Sequence, residues 1–172
     1  QQVAGHVQAY AQCLSESPEQ EMQSLLNALN GGFVIPSPGG DAVRNPNTLP
    51  TGRNLFAINA ESTPGVRAWD EGKALAQATI DQYRKKHGTY PRKVSYTFWA
   101  GEFIETEGAT LAQAMYMLGV APVRDGMNRV TDLRLIPSAE LGRPRIDIVV
   151  QTSGQLRDVA ASRLELLTKA VA

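Results

Sequence analysis

The first thirty residues carry apolar side chains at helical spacing. Four of them recur every three or four positions: Val3, Val7, Tyr10 and Leu14. This spacing lines them along one face of a helix. Ser17 followed by Pro18 has the form of a second helix start, and a second apolar stripe runs from Met22 to Leu29, ahead of the Asn30-Gly31-Gly32 stop. The pattern predicts a helical pair over residues 1–32, which we expect to belong to a larger region upstream.

Residues 33–63 have no regular apolar period. Prolines and glycines interrupt this stretch throughout: Pro36, Pro38, Gly39, Gly40, Pro46, Pro50 and Gly52. Free linkers are poor in apolar residues, whereas this stretch contains several: Phe33, Val34, Ile35, Leu49, Leu55, Phe56 and Ile58. We therefore expect an extended Pro/Gly-rich arm that is ordered by packing.

Residues 64–172 alternate between helical and strand-like segments. Helical periodicity predicts a helix from Pro64 to Gly88, a second with Thr106 as its N-cap and Gly119 as its stop, and a third at the end of the chain. β-branched and aromatic runs predict strands at 94–99, 120–123, 130–136 and 146–151, the last apolar enough to be covered on both faces. This order predicts an α/β domain whose mainly parallel sheet has helices on both faces, in Rossmann-like or flavodoxin-like layers.

Composition narrows the class of partner. The 17 lysines and arginines equal the 17 aspartates and glutamates, so no net charge attracts nucleic acid or an acidic membrane non-specifically. There is no transmembrane run of about 18 apolar residues. The single cysteine, Cys13, fits a reducing compartment. We expect a cytoplasmic protein whose partners bind at local sites.

Two segments follow predicted strands, where ligands of open parallel sheets bind. Glu102 and Thr106 lie in a carboxylate-rich stretch after the first strand. Ser153-Gly154 leads into a helix that carries Arg157 and Asp158, and the free N–H groups of its first turn suit a carboxylate or phosphate. Each segment has a plainer interpretation: an N-cap over a tight turn, or solvated carboxylates that complement a helix dipole.

The Pro/Gly-rich arm is the third candidate binding segment. Its glycines, Gly39, Gly40 and Gly52, let backbone approach a ligand closely. Arg44 and Arg53 could each bind a carboxylate through two hydrogen bonds. Further polar contacts could come from four side chains: Asp41, Asn45, Thr51 and Asn54. The alternative is that Asp41 pairs with Arg44 and Arg53 bonds a carbonyl, which would only hold the arm in place.

Motifs for resident cofactors are absent from the sequence. His6 and His87 are far apart and neither lies in a metal-ligand spacing. No Gly-x-Gly-x-x-Gly stands between a strand and a helix, and no Walker-type Gly-Lys-Ser or Gly-Lys-Thr exists. We therefore expect no cofactor to be bound by a motif in this chain.

Several short motifs occur in a fixed order over residues 33–172. They are Pro38-Gly39-Gly40-Asp41, Val43-Arg44-Asn45-Pro46, Leu49-Pro50-Thr51-Gly52-Arg53-Asn54, Thr106-Glu107-Gly108-Ala109, Leu118-Gly119-Val120, Glu140-Leu141-Gly142-Arg143-Pro144-Arg145-Ile146-Asp147, Ser153-Gly154 and Arg157-Asp158. Each is short, but together they resemble the large-subunit family shared by aerobic cobaltochelatase (CobN) and magnesium chelatase. The resemblance covers nearly the whole chain.

This resemblance implies a C-terminal piece of a tetrapyrrole-binding subunit that inserts Co²⁺ or Mg²⁺ into a macrocycle. Cobalt insertion in cobalamin biosynthesis is the favoured reaction. The implied partners are a AAA+ ATPase subunit, where ATP is hydrolysed, and a subunit with an integrin-I-like domain. Insertion requires a base that removes two pyrrole protons. That base is expected upstream, so we assign no catalytic residue here and expect the isolated chain to be inactive.

Two departures from the family pattern keep alternatives open. Ala100-Gly101 stands where the family tends to have Gly-Thr, and Leu156 stands where it tends to have an aromatic residue. Both lie at strand ends, where a ligand would bind. One alternative is a divergent member that removes a metal from a tetrapyrrole such as haem. The other is a non-catalytic module that docks the partner subunits.

Overall fold

The computed structural model describes residues 2–43 and 48–171, and it divides into two compact units between Asn59 and Ala60. The first unit contains helix α1 (Gln2–Leu29) and two short strands, β1 (Ser37–Pro38) and β2 (Asn54–Phe56). The helical region and the Pro/Gly-rich arm, predicted as separate parts, therefore lie in one compact unit.

The prediction of two helices over residues 1–32 is wrong. Helix α1 is a single helix that contains Pro18. Ser17 does not act as an N-cap. Its hydroxyl instead donates back to the carbonyl of Cys13 at 2.8 Å, a bond that serine commonly makes within helices. Pro18 itself is exposed, so its ring meets water rather than a packed neighbour. The start signal at Ser17-Pro18 is therefore overridden by continuous helical geometry.

The arm folds back on itself through a parallel pair of strands. β1 pairs with β2, and Ser37 lies opposite Asn54. The Ser37 N–H donates to the carbonyl of Arg53 at 2.6 Å, and the Gly39 N–H donates to that of Phe56 at 2.7 Å. These bonds order a segment that has no periodic pattern of its own, in line with the predicted ordered arm.

The second unit alternates helices and strands. After a 3-10 turn at Ala60–Ser62, its elements are α2 (Val66–His87), β3 (Lys93–Phe98), α3 (Ala100–Thr106), α4 (Ala109–Leu118), β4 (Val120–Arg124), β5 (Val130–Leu135), α5 (Ser138–Leu141), β6 (Asp147–Thr152) and α6 (Gly154–Val171), which is kinked at Ala160. The α/β class is confirmed, as are the four predicted strands. Helix α3 was not predicted. Thr106 ends it rather than serving as the N-cap residue of α4, which is Gly108.

The strands form separate pairs rather than one mainly parallel sheet. β3 and β6 are parallel, with Phe98 opposite Thr152, whereas β4 and β5 form an antiparallel pair. Along β3, Tyr96 and Phe98 are buried while Ser95 and Thr97 are exposed, and Val149 of β6 is 45% exposed. The predicted covering of this sheet on both faces is therefore not seen among the described residues.

Helix α4 lies at the centre of the second unit. It buries six side chains: Ala109, Leu111, Ala112, Ala114, Met115 and Met117. Helix α2 approaches it closely at Gly72, where a Cβ would lie 2.5 Å from that of Ala112. Only glycine permits this separation. None of the described helices is long and apolar enough to cross a membrane.

Two arginines fix the carboxyl end of α4. Arg143 donates to the carbonyls of Tyr116 at 2.5 Å and Met117 at 3.4 Å. Arg145 donates to those of Leu118 at 3.1 Å and Gly119 at 2.5 Å. The last carbonyls of a helix lack the regular helical partner. Backbone N–H groups of Gly119, Ile146 and Ile136 bond three of these four carbonyls, and the guanidinium groups add a donor to each and bond Leu118 as well. The Glu140–Asp147 motif therefore has a structural role.

Arg163 of α6 likewise holds the first residues of the second unit, Glu61 and Thr63, through its guanidinium group. Its side chain is 3% exposed and lies 2.9 Å from the carboxylate of Glu61. It also donates to the carbonyls of Val130 at 3.0 Å and Thr63 at 3.4 Å. Burial lowers the pKa of the Arg163 guanidinium, whereas Glu61 raises it.

We predict that Arg163→Ala lowers the free energy of unfolding by roughly 2–3 kcal/mol, because it removes a buried donor to the Val130 carbonyl and the ion pair with Glu61. Urea unfolding followed by circular dichroism measures this change. The matched control is Arg67→Ala, whose side chain is 89% exposed and which we expect to change stability by less than about 0.5 kcal/mol. Equal stability of the two variants would contradict the role of Arg163.

Tyr96 makes stability depend on alkaline pH. Burial raises the pKa of its hydroxyl to about 12, against a smaller lowering by Arg143. Because the folded pKa lies above the ordinary value, the folded state holds the proton more tightly. This stabilisation is complete below about pH 10 and is lost as the pH rises to about 12. We predict that Tyr96→Phe loses roughly 2–3 kcal/mol less stability over that interval than the unsubstituted chain.

Urea unfolding at pH 9 and pH 11.5 tests this prediction. Tyr10→Phe is the control, because Tyr10 is 40% exposed on α1. An identical pH dependence in the Tyr96→Phe variant and the unsubstituted chain would refute the role of Tyr96.

Candidate functional site

Asn54 holds the two limbs of the Pro/Gly-rich arm together. Its side-chain amide donates to the carbonyls of Pro38 at 2.6 Å and Thr48 at 2.9 Å. Its Oδ1 accepts from the Gly52 N–H at 3.3 Å. The side chain therefore has its hydrogen-bonding groups committed to the arm itself. In this structure the Asn54 side chain therefore positions the arm.

The turn at Gly39-Gly40-Asp41 is also internally bonded. Gly40 adopts φ 136°, which favours glycine. The Asp41 carboxylate accepts from the Val43 N–H at 2.8 Å, a local turn that aspartate commonly forms. The predicted site residues Arg44 and Asn45 lie outside the described residues.

Thr51 and Gly52 dock the arm on helix α1. The Thr51 N–H donates to the Ser17 hydroxyl at 3.0 Å, and its own hydroxyl donates to the Glu21 carboxylate. Gly52 has φ 102°, and a Cβ there would lie 2.7 Å from the backbone nitrogen of Glu21. A glycine is therefore required where the arm crosses the helix.

Arg53 lines a cavity in the first unit. The cavity has a volume of about 290 Å³ and is also lined by Gln23, Ser24, Asn27, Phe33, Val34 and Ile35. Arg53 is the one charged residue among these lining residues. Its Nε is buried and has no hydrogen-bond partner within the described part of the chain. Among the predicted arm residues that the structure describes, Arg53 is thus the one with a buried side-chain donor that no protein group accepts.

The carboxyl ends of β3 and β6 meet as predicted from a parallel pair. The Ser153 N–H donates to the carbonyl of Phe98 at 3.2 Å. The Ser153 hydroxyl accepts from the Leu156 N–H at 3.1 Å, so Ser153 caps α6, the plainer of its two interpretations. Gly154, Arg157 and Asp158 are exposed in the first turns of this helix.

Glu102 and Thr106 are brought together and bond protein groups, although Glu102 Oε2 is buried without a hydrogen-bond partner among the described residues. Glu102 Oε1 accepts from the hydroxyls of Thr106 at 2.8 Å and Thr110 at 2.6 Å. Thr106 in turn accepts from the Ala109 N–H at 3.1 Å. These bonds join α3 to α4. Within the described residues, no group of three or more His, Cys, Asp or Glu side chains is arranged to hold a metal ion.

A second cavity, in the second unit, was not predicted. It has a volume of about 230 Å³ and is lined by residues that include Trp69, Lys73 and Tyr116. The spacing of Trp69 and Lys73, four residues apart on one helical face, was the available signal.

The family of the chain follows from a comparison with known proteins. The model of the CobN/Magnesium Chelatase family matches residues 2–172. The chain belongs to this family. The resemblance that the ordered motifs indicated is therefore confirmed over almost the entire sequence.

Relatives of this chain include proteins named for magnesium chelatase and proteins named for cobaltochelatase. The magnesium-chelatase subunit ChlH of Oryza sativa subsp. indica is 39% identical over 89% of the chain and 11% of that protein. The aerobic cobaltochelatase subunit CobN of a Sinorhizobium species is 36% identical over 92% of the chain and 12% of that protein.

A solved structure has a fold similar to that of this chain. The catalytic subunit of cobaltochelatase from Mycobacterium tuberculosis matches with a TM-score of 0.73 and 40% identity. The match covers 88% of this chain and 13% of that one. The chain therefore spans about an eighth of the length of these relatives.

We predict that Gly52→Ala in this family member releases the arm from α1, because φ 102° and the 2.7 Å approach both disfavour a side chain. Hydrogen exchange at the Thr51 amide should accelerate at least tenfold, which corresponds to a loss of about 1.4 kcal/mol in local stability. The control is Gly5→Ala, which has open space around its Cβ position within α1 and should stabilise the helix by about 0.5–1 kcal/mol. Unchanged exchange at Thr51 would contradict this account.

Proposed function

We propose that this chain is part of the large, tetrapyrrole-binding subunit of an ATP-dependent metal chelatase. The observation that carries the proposal is the family match over residues 2–172. It is supported by relatives whose names specify magnesium chelatase and cobaltochelatase. The reaction of the whole subunit is insertion of a divalent metal into a macrocycle, and we assign no catalytic base to this chain.

Cobalt is the proposed metal. The solved cobaltochelatase structure, 40% identical to this chain, supports this choice. A magnesium-chelatase relative from Rhodobacter capsulatus is also 40% identical over its matched region. Insertion of Co²⁺ must therefore be compared with insertion of Mg²⁺ in the same assay. The proposed partners are a AAA+ ATPase subunit, which hydrolyses ATP, and a subunit with an integrin-I-like domain.

Within that subunit, we propose that Arg53 binds a carboxylate. Tetrapyrrole precursors carry carboxylates or derived amides at their periphery, and a guanidinium binds a carboxylate through two parallel hydrogen bonds. The Arg53 cavity combines one cation with polar and apolar lining residues, which suits a carboxylate on an apolar body. Asn54, Thr51 and Gly52 hold the arm that carries Arg53, so their role in this proposal is to position it.

We predict that Arg53→Gln in the full-length subunit weakens binding of a carboxylate-bearing tetrapyrrole by about 10- to 100-fold, the loss of one hydrogen bond to a charged group. Binding is measured by quenching of the macrocycle's fluorescence. The same substitution should change binding of the fully amidated macrocycle less, because an amide gains less from a cation. ATP-dependent insertion of Co²⁺ and Mg²⁺ is followed in parallel, with both partner subunits present.

Arg67→Gln is the matched control, because this exposed arginine has a single ion pair among the described residues, a 3.8 Å contact with Glu71. If Arg53→Gln leaves tetrapyrrole affinity unchanged but abolishes insertion and partner binding, Arg53 contacts protein rather than macrocycle. If affinity and insertion both stay at the unsubstituted level, Arg53 has neither role.

A further inference from the structure

The cavity of the second unit has a buried apolar floor. Three side chains form one packed cluster beneath it, Ala121 and Ile136 with 5% exposure each and Leu141 with 8%. They come from β4, from the residue after β5, and from α5. An apolar group that enters the cavity would therefore rest on residues already fixed by the core.

The walls of this cavity are aromatic and held in place. The rings of Trp69 and Tyr116 lie 6.5 Å apart at 78°, an edge-to-face arrangement. The Tyr116 hydroxyl is 3.2 Å from Gln77 Oε1, and the Arg143 guanidinium lies 4.5 Å from the centre of the Tyr116 ring. Since two contacts fix Tyr116 from other sides, the cavity is formed without a ligand.

The rim carries more positive than negative charge. Lys73 follows Trp69 by one turn of α2, is exposed, and makes no hydrogen bond or ion pair with any described residue. Arg134 and Glu140 face each other across 3.7 Å with side chains 54% and 56% exposed. Such an exposed pair contributes little stability. Two cations and one weakly paired carboxylate thus surround an apolar floor.

We propose that this cavity binds a small, flat acid with a single carboxylate. The carboxylate meets Lys73 and Arg134, and the ring packs against Trp69 and Tyr116 above the apolar floor. A volume of about 230 Å³ lies below the roughly 300–1,000 Å³ of clefts for larger ligands, so it favours one ring system over a peptide segment. All of these residues belong to the second unit, and the inference does not depend on the chelatase proposal.

Titration of the ¹⁵N-labelled 172-residue chain with 2-naphthoate tests this site by NMR. We expect saturable shifts at the amides of Lys73, Tyr116 and Arg134 and at the Trp69 indole N–H, with the Trp99 indole as an internal reference. Lys73→Gln should weaken binding about tenfold, the loss of one charge-assisted hydrogen bond. Lys85→Gln, on the last turn of the same helix and outside the cavity, should bind as the unsubstituted chain does.

Glu140→Gln is expected to change the affinity for naphthoate in the opposite direction. It removes the carboxylate that competes for Arg134, so naphthoate should bind about three- to tenfold more tightly. A general loss of folding would not strengthen binding, which separates this result from a structural defect.

Three outcomes would overturn the proposal. The first is absence of saturable shifts around the cavity. The second is equal binding of 2-naphthylmethylammonium, which would indicate an aromatic site without preference for an anion. The third is much tighter binding of an acetylated peptide ending in phenylalanine than of naphthoate, which would assign the cavity to a polypeptide.

Discussion

The second unit depends on the hydrogen bonds that Arg143 and Arg145 make to the carboxyl end of α4. The two guanidinium groups donate to the carbonyls of four consecutive residues where the helix ends and the next strand begins: Tyr116, Met117, Leu118 and Gly119. The same segment supplies the Ile146 N–H to Met117 at 3.0 Å. The start of β6 is thereby placed beside the central helix.

Both candidate binding features rely on such side-chain bonds to carbonyls. Arg143 lies against the Tyr116 ring that forms a wall of the second cavity. In the first unit, Asn54 bonds the carbonyls of Pro38 and Thr48 and so orders the arm that carries Arg53. Irregular backbone must find donors outside regular ladders. The motifs that identify the family are therefore, in large part, the groups that satisfy this irregular backbone.

Sequence patterns predicted the elements of the second unit well, because long periodic runs and glycine stops act locally. Helix α2 ends at Gly88, which has a left-handed backbone conformation and whose N–H donates to the carbonyl of Arg84 at 2.8 Å. Glycine is the residue that most often ends a helix in this way. The local sequence at Ser17-Pro18 wrongly predicted a helix start, because the same residues can also lie within a continuous helix. They also missed α3, a helix of seven residues that offers too few turns for a periodic pattern.

The sequence by itself determined the family, the α/β class and the strand positions, since these follow from residue identity and order. A carboxylate-binding role for Arg53 stays a prediction. Tertiary structure decided how the strands pair, because sheet topology depends on contacts between distant residues such as Phe98 and Thr152. It also decided which predicted site residues retain a free donor. Asn54 and Ser153 have suitable chemistry, but the partners of their side chains lie within the fold, and only folding shows which hydrogen bonds are already made.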